Sequence, residues 1–362
     1  MGHALSIVAK ADGVVGIAGA AVLAYLLAVA SARFVRYRAV AAAPPPSPSD
    51  IEALSRVYIE TSYTEFPFLT TKALEFGLFK TYSIPSISKL LVATGEMSDR
   101  CARRTVDTDL LMREFTEHSL LSERGQTALR RMNFLHGHYP IKNSDYVYVL
   151  TVFMVEPIKW VNRYGYRKMH PNETQAHFLY WQAVGIRMGI KDIPATLEDA
   201  RRYMEDYETA HMKFTETNAK IADATVKVLL NDVPSLLHGI ARQFVYALSP
   251  RPLRVAMGFP EPIYGLSTVI SGALSLHGLF VRYSMFPRTK PLFRTPEKPN
   301  AQGKMCPVFM VYDKLIYKDG YTIETLGPVK FEKDATLGPL HAQNHDSIEP
   351  PMLSRAVGGT AM

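Results

Sequence analysis

The sequence predicts an all-α protein in which a single globular helical domain follows one N-terminal transmembrane helix. Three observations support this fold class. An uncharged run of twenty residues lies near the N-terminus, at residues 13–32. Apolar residues then recur at helical spacing through residues 51–286, and the alternation of polar and apolar residues that is typical of strands is almost absent. Of the 362 residues, 47% are hydrophobic and 21% are charged, which is the composition of a chain that folds around an apolar core.

The N-terminal run is long enough to cross a membrane, because twenty helical residues match a hydrocarbon core of about 30 Å. The alternative is a cleaved signal peptide, but such a peptide carries its basic residues before the apolar run. Here only Lys10 precedes the run, and Asp12 offsets it. The basic cluster follows the run: Arg33, Arg36 and Arg38. We therefore predict a short tail at residues 1–12, a span at residues 13–32 and a body on the cytosolic side.

A basic flank and a proline-rich linker are predicted at residues 33–50, because proline prevents helix. Asp50 is the predicted N-cap of the first helix of a helical domain at residues 51–286. Residues 147–155 are apolar almost all round, so their helix should be central. The predicted helices cover residues 51–60, 72–80, 86–91, 105–117, 125–136, 144–163, 173–188, 197–213 and 219–230.

A second uncharged run covers residues 263–281, and it contains several hydroxyl side chains and His277. A span at this position would carry the basic residues that follow it to the non-cytosolic side, against the positive-inside rule. A buried helix or a membrane-surface helix is the interpretation that this pattern favours. Residues 287–362 are rich in proline and glycine and predict an irregular C-terminal extension.

The charge and cysteine content limit the partners and the compartment. The formal net charge is +7, and the basic residues cluster beside apolar stretches, which favours an anionic membrane lipid surface over nucleic acid. No nucleic-acid-binding motif is present. The two cysteines, Cys101 and Cys306, lie far apart in the sequence. A disulfide framework or a thiolate zinc site is therefore not expected, and a reducing compartment is compatible with the sequence.

Two short motifs resemble metal boxes. The pair Glu208 and His211 has the spacing of one half of a di-iron site, but such sites need a second motif and further glutamates. Its helix is highly charged, so a solvated face is the preferred interpretation. The pair His341 and His345 resembles one of the several histidine boxes of membrane desaturases, in a stretch that predicts a loop. Phosphate loops, dinucleotide fingerprints and nucleophile elbows are absent.

The segment at residues 131–138 is the candidate for chemistry. His136 shares an apolar helical face with Ala128, Met132 and Leu135. An inward-facing histidine of this kind is either a structural residue or a metal ligand, and His138 is the fallback ligand. A second candidate face holds a basic, an acidic and a hydroxyl side chain: Arg104, Asp107 and Thr108. This face forms either a surface ion pair or, if it points inward, a site for an anionic cofactor group.

Several segments together, in this order, resemble a known family. They are Glu65-Phe-Pro-Phe68, residues 78–87, Arg104-x-x-Asp107-Thr108, Arg131-x-x-Phe134-Leu-His136, residues 148–157, Glu173-x-x-Ala176, Trp181, Gly189-Ile190, residues 229–234 with His238, and residues 317–328. The family is that of the ER-bound oxygenases of the MpaB type, which share a catalytic domain with the rubber oxygenases. The resemblance covers roughly residues 60–330.

The resemblance implies an all-α, globin-like packing around haem b, with His136 as the single protein ligand of the iron. It implies catalytic and haem-contacting roles for Arg104 and Thr108. Asp107 is also assigned to catalysis; the rubber enzymes look to have a lysine at this position, and here the chain resembles the MpaB branch instead. We also assign Arg131, in the motif of His136, to cofactor binding. The pocket is expected to be lined by Met132, Phe134, Leu135, Val149 and Phe153.

The expected function is therefore that of a single-pass haem oxygenase of the endoplasmic reticulum membrane. With O₂ it would cleave a carbon–carbon double bond in an isoprenoid or other lipophilic small molecule, and the substrate would arrive from the membrane. The alternative is a non-catalytic, membrane-tethered helical protein that binds lipid. A non-haem iron enzyme that uses Glu208 and His211 is a third interpretation.

Overall fold

The structure, a computed structural model, describes residues 2–309 and 316–341, and it describes their side chains except at residues 2–15, 98 and 99. In these residues the fold is α-helical, and the sole β-pairing is an isolated bridge between Met305 and Tyr321. The all-α prediction is confirmed. The helices are α1 (Gly2–Ala42), α2 (Ile51–Ile59), α3 (Pro67–Thr81), α4 (Pro85–Ala93), α5 (Glu96–Asp99), α6 (Cys101–Thr116), α7 (Glu123–Gly137), α8 (Asn143–Tyr164), α9 (Pro171–Arg187), α10 (Leu197–His211), α11 (Glu216–Leu229), α12 (His238–Leu248), α13 (Arg251–Met257) and α14 (Leu266–Ser284).

Helix α1 is one continuous helix of 41 residues. Its segment Gly16–Ala42 is the one helix in the described residues that is long and apolar enough to cross a membrane. The basic flank predicted within residues 33–50 is therefore helical up to Ala42, and the proline-rich linker follows it. Val29 is fully buried, and Arg36 forms ion pairs with Glu60 and Glu65. The basic flank is thus attached to the body, and only the proline-rich part after Ala42 is irregular.

Helix α8 lies at the centre of the domain, as predicted, and packs against α3, α9, α10 and α14. Helix α3 approaches it closely at Gly77, where a Cβ atom would lie 2.9 Å from Cγ1 of Val152. Asp50 caps α2 as predicted, because its carboxylate accepts a hydrogen bond from the backbone N–H of Ala53 at 2.9 Å. Helix α2 continues without a break into a π-helical turn, Glu60–Glu65, which the sequence did not indicate.

Helices α12 and α14 pack against each other at one side of the domain, and α14 also contacts α1 and α8. The interpretation of residues 263–281 as a buried helix is wrong, because only Ile270 and Gly278 of α14 are buried. The rest of α14 is half-buried or exposed, although its sequence is almost entirely uncharged. This face is consistent with the other interpretation, a membrane-surface helix.

The C-terminal extension is irregular, as predicted, but its described residues pack tightly on the helical body. Arg294 is fully buried and forms an ion pair with Asp109. Tyr321 donates a hydrogen bond to Oε1 of Glu114 at 2.6 Å. Residues 342–362, which include His345 of the second histidine box, lie outside the described residues.

Candidate active site

A cavity of about 220 Å³ lies between α3, α4, α6, α7, α8 and α9, and we call it the inner cavity. It brings together three of the predicted site residues, His136, Arg104 and Thr108. Most of the remaining lining is apolar or aromatic, which is typical of a site for an organic ligand. This lining includes Leu78, Tyr82, Leu111, Met112, Met132, Leu135, Tyr146, Val149, Phe153, Trp181 and Ile190.

His136 lies near the C-terminal end of α7. Part of the His136 imidazole is accessible, although protein surrounds the ring. The accessible part therefore faces the inner cavity. Burial, and then the nearby charge of Arg104, lower the pKa of His136 to about 4. The ring is therefore neutral at physiological pH, which is the form that binds metals. Its Nδ1 is buried and has no hydrogen-bond partner among the described residues.

Arg104 and Thr108 lie one turn apart on α6, because residues four apart share a helical face. The Arg104 guanidinium donates a hydrogen bond to Oγ1 of Thr108, and that hydroxyl donates to the Arg104 carbonyl at 2.8 Å. No described carboxylate forms an ion pair with Arg104. Arg104 is therefore a cation without a paired carboxylate beside His136, in a mainly apolar cavity whose wall also includes Glu96 and Asp145. Its guanidinium suits an anionic group of a ligand.

Asp107 does not line the inner cavity, in contrast to the expectation that it takes part in catalysis. Its carboxylate is buried beneath the C-terminal extension, where it accepts a hydrogen bond from the Tyr317 hydroxyl. Burial raises the pKa of Asp107 to about 6, although the Tyr317 hydrogen bond and two nearby arginines act in the opposite direction. The side chain points toward the extension because residue 107 lies about 100° around the helix from residue 108.

Arg131, which the sequence analysis assigns to cofactor binding, does not line the inner cavity. The fully buried guanidinium donates hydrogen bonds to four carbonyl groups of the extension, those of Leu326, Phe331, Asp334 and Thr336. The N–H donors of Arg131 are thus directed at these four carbonyl groups, and none of the four residues lines the inner cavity. Arg131 is thus the attachment point of the C-terminal extension.

His138 and Phe134 face outward from the site. His138 is exposed, its ring nitrogen Nδ1 lies 2.8 Å from the Phe134 carbonyl, and its ring packs on Phe331. Phe134 packs on the same ring of Phe331. The structure therefore does not place the fallback ligand in the inner cavity, and Phe134 is not part of its lining, whereas the other four predicted lining residues are.

Glu208 does not lie on a solvated face, contrary to the sequence interpretation. It forms an ion pair with Lys80 at 2.6 Å, and Lys80 also pairs with Glu156 at 2.8 Å. Burial lowers the pKa of Lys80, but these two carboxylates outweigh it and raise the pKa overall. His211 is exposed and packs on Tyr207. In the part of the chain that is described, no group of three metal-binding side chains occurs.

The two remaining histidine candidates have local contacts. A ring nitrogen of His238 lies 2.8 Å from the Val233 carbonyl at the start of α12. The ring of His341 packs against Gly189, where a Cβ atom would lie 2.6 Å from it. Neither lines the inner cavity.

Tyr82, Met112 and Trp181 line the inner cavity but were not identified as site residues from the sequence. Burial raises the pKa of Tyr82 to about 12, so its hydroxyl stays protonated. Tyr82 and Trp181 lie in segments that carry the family resemblance, and that was the signal available for them. Met112 carried no signal, because a methionine at helical spacing is indistinguishable from an ordinary core residue.

Comparison with known proteins agrees with this arrangement. The family model of the ER-bound oxygenase mpaB/B' and rubber oxygenase catalytic domain matches residues 96–272, which include α6, α7, α8 and therefore Arg104, Thr108 and His136. The ER-bound oxygenase mpaB' of Penicillium brevicompactum is 30% identical over 347 residues, covering 82% of this chain and 81% of that protein. The ER-bound oxygenase mpaB of Penicillium roqueforti is 32% identical over 231 residues, covering 59% of this chain and 77% of that protein. The chain therefore belongs to the mpaB/B' and rubber oxygenase family, and it is an oxygenase.

Proposed function

We propose that the protein is a membrane-anchored haem b oxygenase that uses O₂ to cleave a carbon–carbon double bond in an isoprenoid or other lipophilic chain. The observation that carries this proposal is His136, a neutral imidazole that faces an enclosed apolar cavity and has an unpartnered buried nitrogen. The membership of the oxygenase family supplies the reaction class.

The residues of the inner cavity fit a haem in three respects. His136, a neutral histidine, would hold the iron, and a haem held by one protein side chain would supply a site for O₂. Arg104 supplies a cation for a propionate, with which it can form charge-assisted hydrogen bonds. The apolar lining excludes water and keeps the reacting centre dry. When bound, the haem supplies the activation of O₂, and the protein supplies the ligand, the orientation and the dry site.

Thr108 and Arg104 are the polar side chains closest to the expected chemistry. The hydroxyl of Thr108 is held by two hydrogen bonds to Arg104, so its position is fixed before a substrate arrives. Its O–H is already donated to the Arg104 carbonyl, so Thr108 offers a ligand a fixed acceptor oxygen rather than a free donor. Asp107 is not part of this proposal, because it contacts the extension.

The proposed location is the membrane of the endoplasmic reticulum, with one span and a cytosolic body. The relatives are named ER-bound, and α1 contains a segment with the length and composition of a membrane anchor. The orientation follows from the basic residues that come after the apolar run. An apolar substrate dissolved in that membrane would be available to the body beside the anchor.

The test is the absorption spectrum of the detergent-purified protein, as isolated, after reduction, and after reduction in the presence of CO. The wild type and the His138→Ala variant should show a Soret band that shifts with CO, and the His136→Ala variant should lose it. His138 is the matched control because it lies two residues away and outside the cavity. A protein that stays colourless after haem is added contradicts the proposal and favours the non-catalytic, lipid-binding alternative.

A further inference from the structure

A second cavity, of about 340 Å³, adjoins the inner cavity, and we call it the outer cavity. Four residues line both cavities: Leu78, Tyr82, Thr108 and Met112. These side chains form a shared wall between the two spaces, and methionine is the most adaptable of the apolar side chains. The outer cavity therefore lies directly behind the wall of the cavity that contains His136.

The wall of the outer cavity presents no net charge. Lys72 forms an ion pair with Glu75 at 2.7 Å, and Arg113 forms ion pairs with Asp109 at 2.9 Å and with Glu117 at 2.7 Å. The lining is otherwise mainly apolar, and it includes Phe68, Leu74, Phe76, Trp160, Leu229, Leu248 and Leu274. A charged ligand would have to lose its hydration here without gaining a partner, so the outer cavity suits an uncharged chain. The inner cavity differs, because it contains the unpaired Arg104.

One wall of the outer cavity is formed by α12 and α14, through Val245, Leu248, Ile270 and Leu274. The outward faces of these two helices carry a set of exposed large apolar side chains, which together form a face that is unusual for a soluble surface. We call this set the α12–α14 face. Its members are Ile240, Phe244, Leu248, Val269, Leu276, Leu279, Phe280 and Tyr283, together with Leu236 and Leu237 of the 3-10 turn that leads into α12.

The anchor helix indicates what covers this face. The hydroxyl of Tyr25 donates to the Ser284 carbonyl at 2.8 Å, and its ring packs on Phe286 at 5.4 Å. Tyr25 lies seven residues before Ala32, the last residue of the uncharged run. At 1.5 Å per residue, Tyr25 lies about 10 Å inside the layer that the run spans, and its side chain reaches the last residue of α14.

The basic residues that follow the uncharged run contact the backbone just after α14. Arg33 donates to the Met285 carbonyl at 3.1 Å, and Arg36 donates to the Arg288 carbonyl. Both arginines follow the uncharged run immediately, where the headgroups of a bilayer begin. The end of α14 therefore lies between the level of Tyr25, inside the apolar layer, and the level of Arg33, at the headgroup boundary.

We propose that the α12–α14 face is inserted into the bilayer beside the anchor, and that the outer cavity takes an uncharged lipophilic chain directly from the lipid phase. The chain passes between Leu78, Tyr82, Thr108 and Met112 toward His136. The reaction of the lipophilic ligand beside His136 rests on the proposed function, but the binding of this ligand in the outer cavity does not.

The two tryptophans of the chain allow a direct test, because Trp160 lines the outer cavity and Trp181 lines the inner one. The full-length Trp181→Phe variant is reconstituted in phosphatidylcholine vesicles, and a long-chain alcohol with bromine atoms at mid-chain is added as a quencher. We expect saturable quenching of Trp160. If Trp181→Phe does not fold, the difference between the wild type and Trp160→Phe gives the same quantity.

A blocked cavity provides the control. Leu274→Cys, in a Cys306→Ser background, is modified with a bulky maleimide, and Leu276→Cys is modified in the same way. Leu274 lines the outer cavity, whereas Leu276 is 66% exposed on the same helix. Cys101 is buried and should not react. Modification at residue 274 should reduce the saturable quenching at least fivefold, and modification at residue 276 should leave it unchanged.

Two results would overturn the inference. Quenching that rises without saturation, or that is the same after residue 274 is modified, means that the alcohol reaches Trp160 from outside the cavity. A polarity-sensitive dye on Leu276→Cys that reports water in vesicles means that the α12–α14 face is not inserted. A colourless protein with saturable quenching contradicts only the proposed haem chemistry, whereas a haem spectrum without saturable quenching contradicts only this inference.

Discussion

Single residues determine the electrostatics of the inner cavity. Arg104 is the only cation that lines it in the described part of the chain, and it lies close enough to His136 to help lower the pKa of that histidine. The adjacent Arg103 faces the other way, toward Tyr317 and Glu332. Arg104 therefore belongs to the inner cavity, whereas its neighbour Arg103 helps to attach the C-terminal extension.

We predict that Arg104→Gln lowers the affinity for haem and that Arg103→Gln does not. A charge-assisted hydrogen bond is worth about 1.5–3 kcal/mol, which corresponds to a loss of affinity of about tenfold or more. The measurement is the titration of the haem-free protein with haem, followed at the Soret band. Equal affinities in the two variants would remove Arg104 from the haem site.

His177 makes folding depend on pH. Burial lowers its pKa from 6.5 to about 4. Between these values the unfolded chain binds a proton that the folded chain does not, so the free energy of unfolding falls as the pH falls from 6.5 toward 4. Each such group contributes at most about 1.4 kcal/mol per pH unit, and above pH 6.5 it contributes no pH dependence.

We predict that His177→Leu reduces this acid sensitivity and that His138→Leu, at an exposed position, does not. The midpoint of urea unfolding in detergent, compared between neutral pH and about pH 5, measures the difference. The Nε2 atom of His177 lies 3.0 Å from the Phe153 carbonyl, so the variant should also lose some stability at neutral pH. A slope with pH that matches the wild type would assign the acid sensitivity to other groups.

At the scale of elements, the C-terminal extension behaves as part of the core although it has no regular structure. Arg131 on α7 donates hydrogen bonds to its carbonyl groups, and Gly327 packs on Leu135, where a Cβ atom would lie 2.7 Å from Cδ1. Gly327 has a φ of 124°, which only glycine adopts readily. The extension also contributes Gly327 and Pro328 to the lining of the inner cavity.

We predict that Arg131→Ala costs about 3 kcal/mol or more, because it leaves several buried carbonyl groups without a donor. Proteolysis should then release fragments of the extension faster than in the wild type, and the melting temperature should fall. Arg130→Ala is the control, since Arg130 is exposed and makes a single contact with the Gly338 carbonyl. A resistant extension in the Arg131 variant would show that other contacts hold it.

The sequence was sufficient for the regular elements and for part of the site. Helical spacing located α2 to α4 and α6 to α11. The resemblance pointed to His136, Arg104 and Thr108, which the structure brings together. Helices α12 and α13 were not predicted, because Pro234, Pro250 and Pro252 interrupt the periodic pattern in this stretch and α13 has only 7 residues. The contacts of Arg131 and Asp107 could not be predicted for a different reason. Their partners lie about two hundred residues away in an irregular segment, where no periodic pattern relates the two.

At the scale of the whole molecule, the anchor and the body are connected by buried charges. Glu65 in the π-helical turn pairs with Arg36 of α1 and with Arg167 at 3.1 Å, and Arg167 also pairs with Glu173 at 2.6 Å. Removing one partner from a buried ion pair is costly, since the other charge is left without compensation. The second half of α1 therefore contributes to folding as well as to anchoring.

We predict that deleting residues 1–24 leaves the melting temperature of the body in detergent unchanged, and that deleting residues 1–42 lowers it. The longer deletion removes Arg36 from Glu65, at a cost of about 1–3 kcal/mol because Arg167 remains. Thermal unfolding of the two truncated proteins measures the difference. Equal melting temperatures would mean that α1 acts only as a tether.

The continuity of α1 has a mechanical consequence. Since a single helix extends from the membrane span to Ala42, and its second half is fixed to the body, the body must follow any tilt of the span. Helices relieve a mismatch with bilayer thickness by tilting. Lipids with longer or shorter acyl chains should therefore rotate the whole domain relative to the membrane plane, which a flexible linker would have prevented.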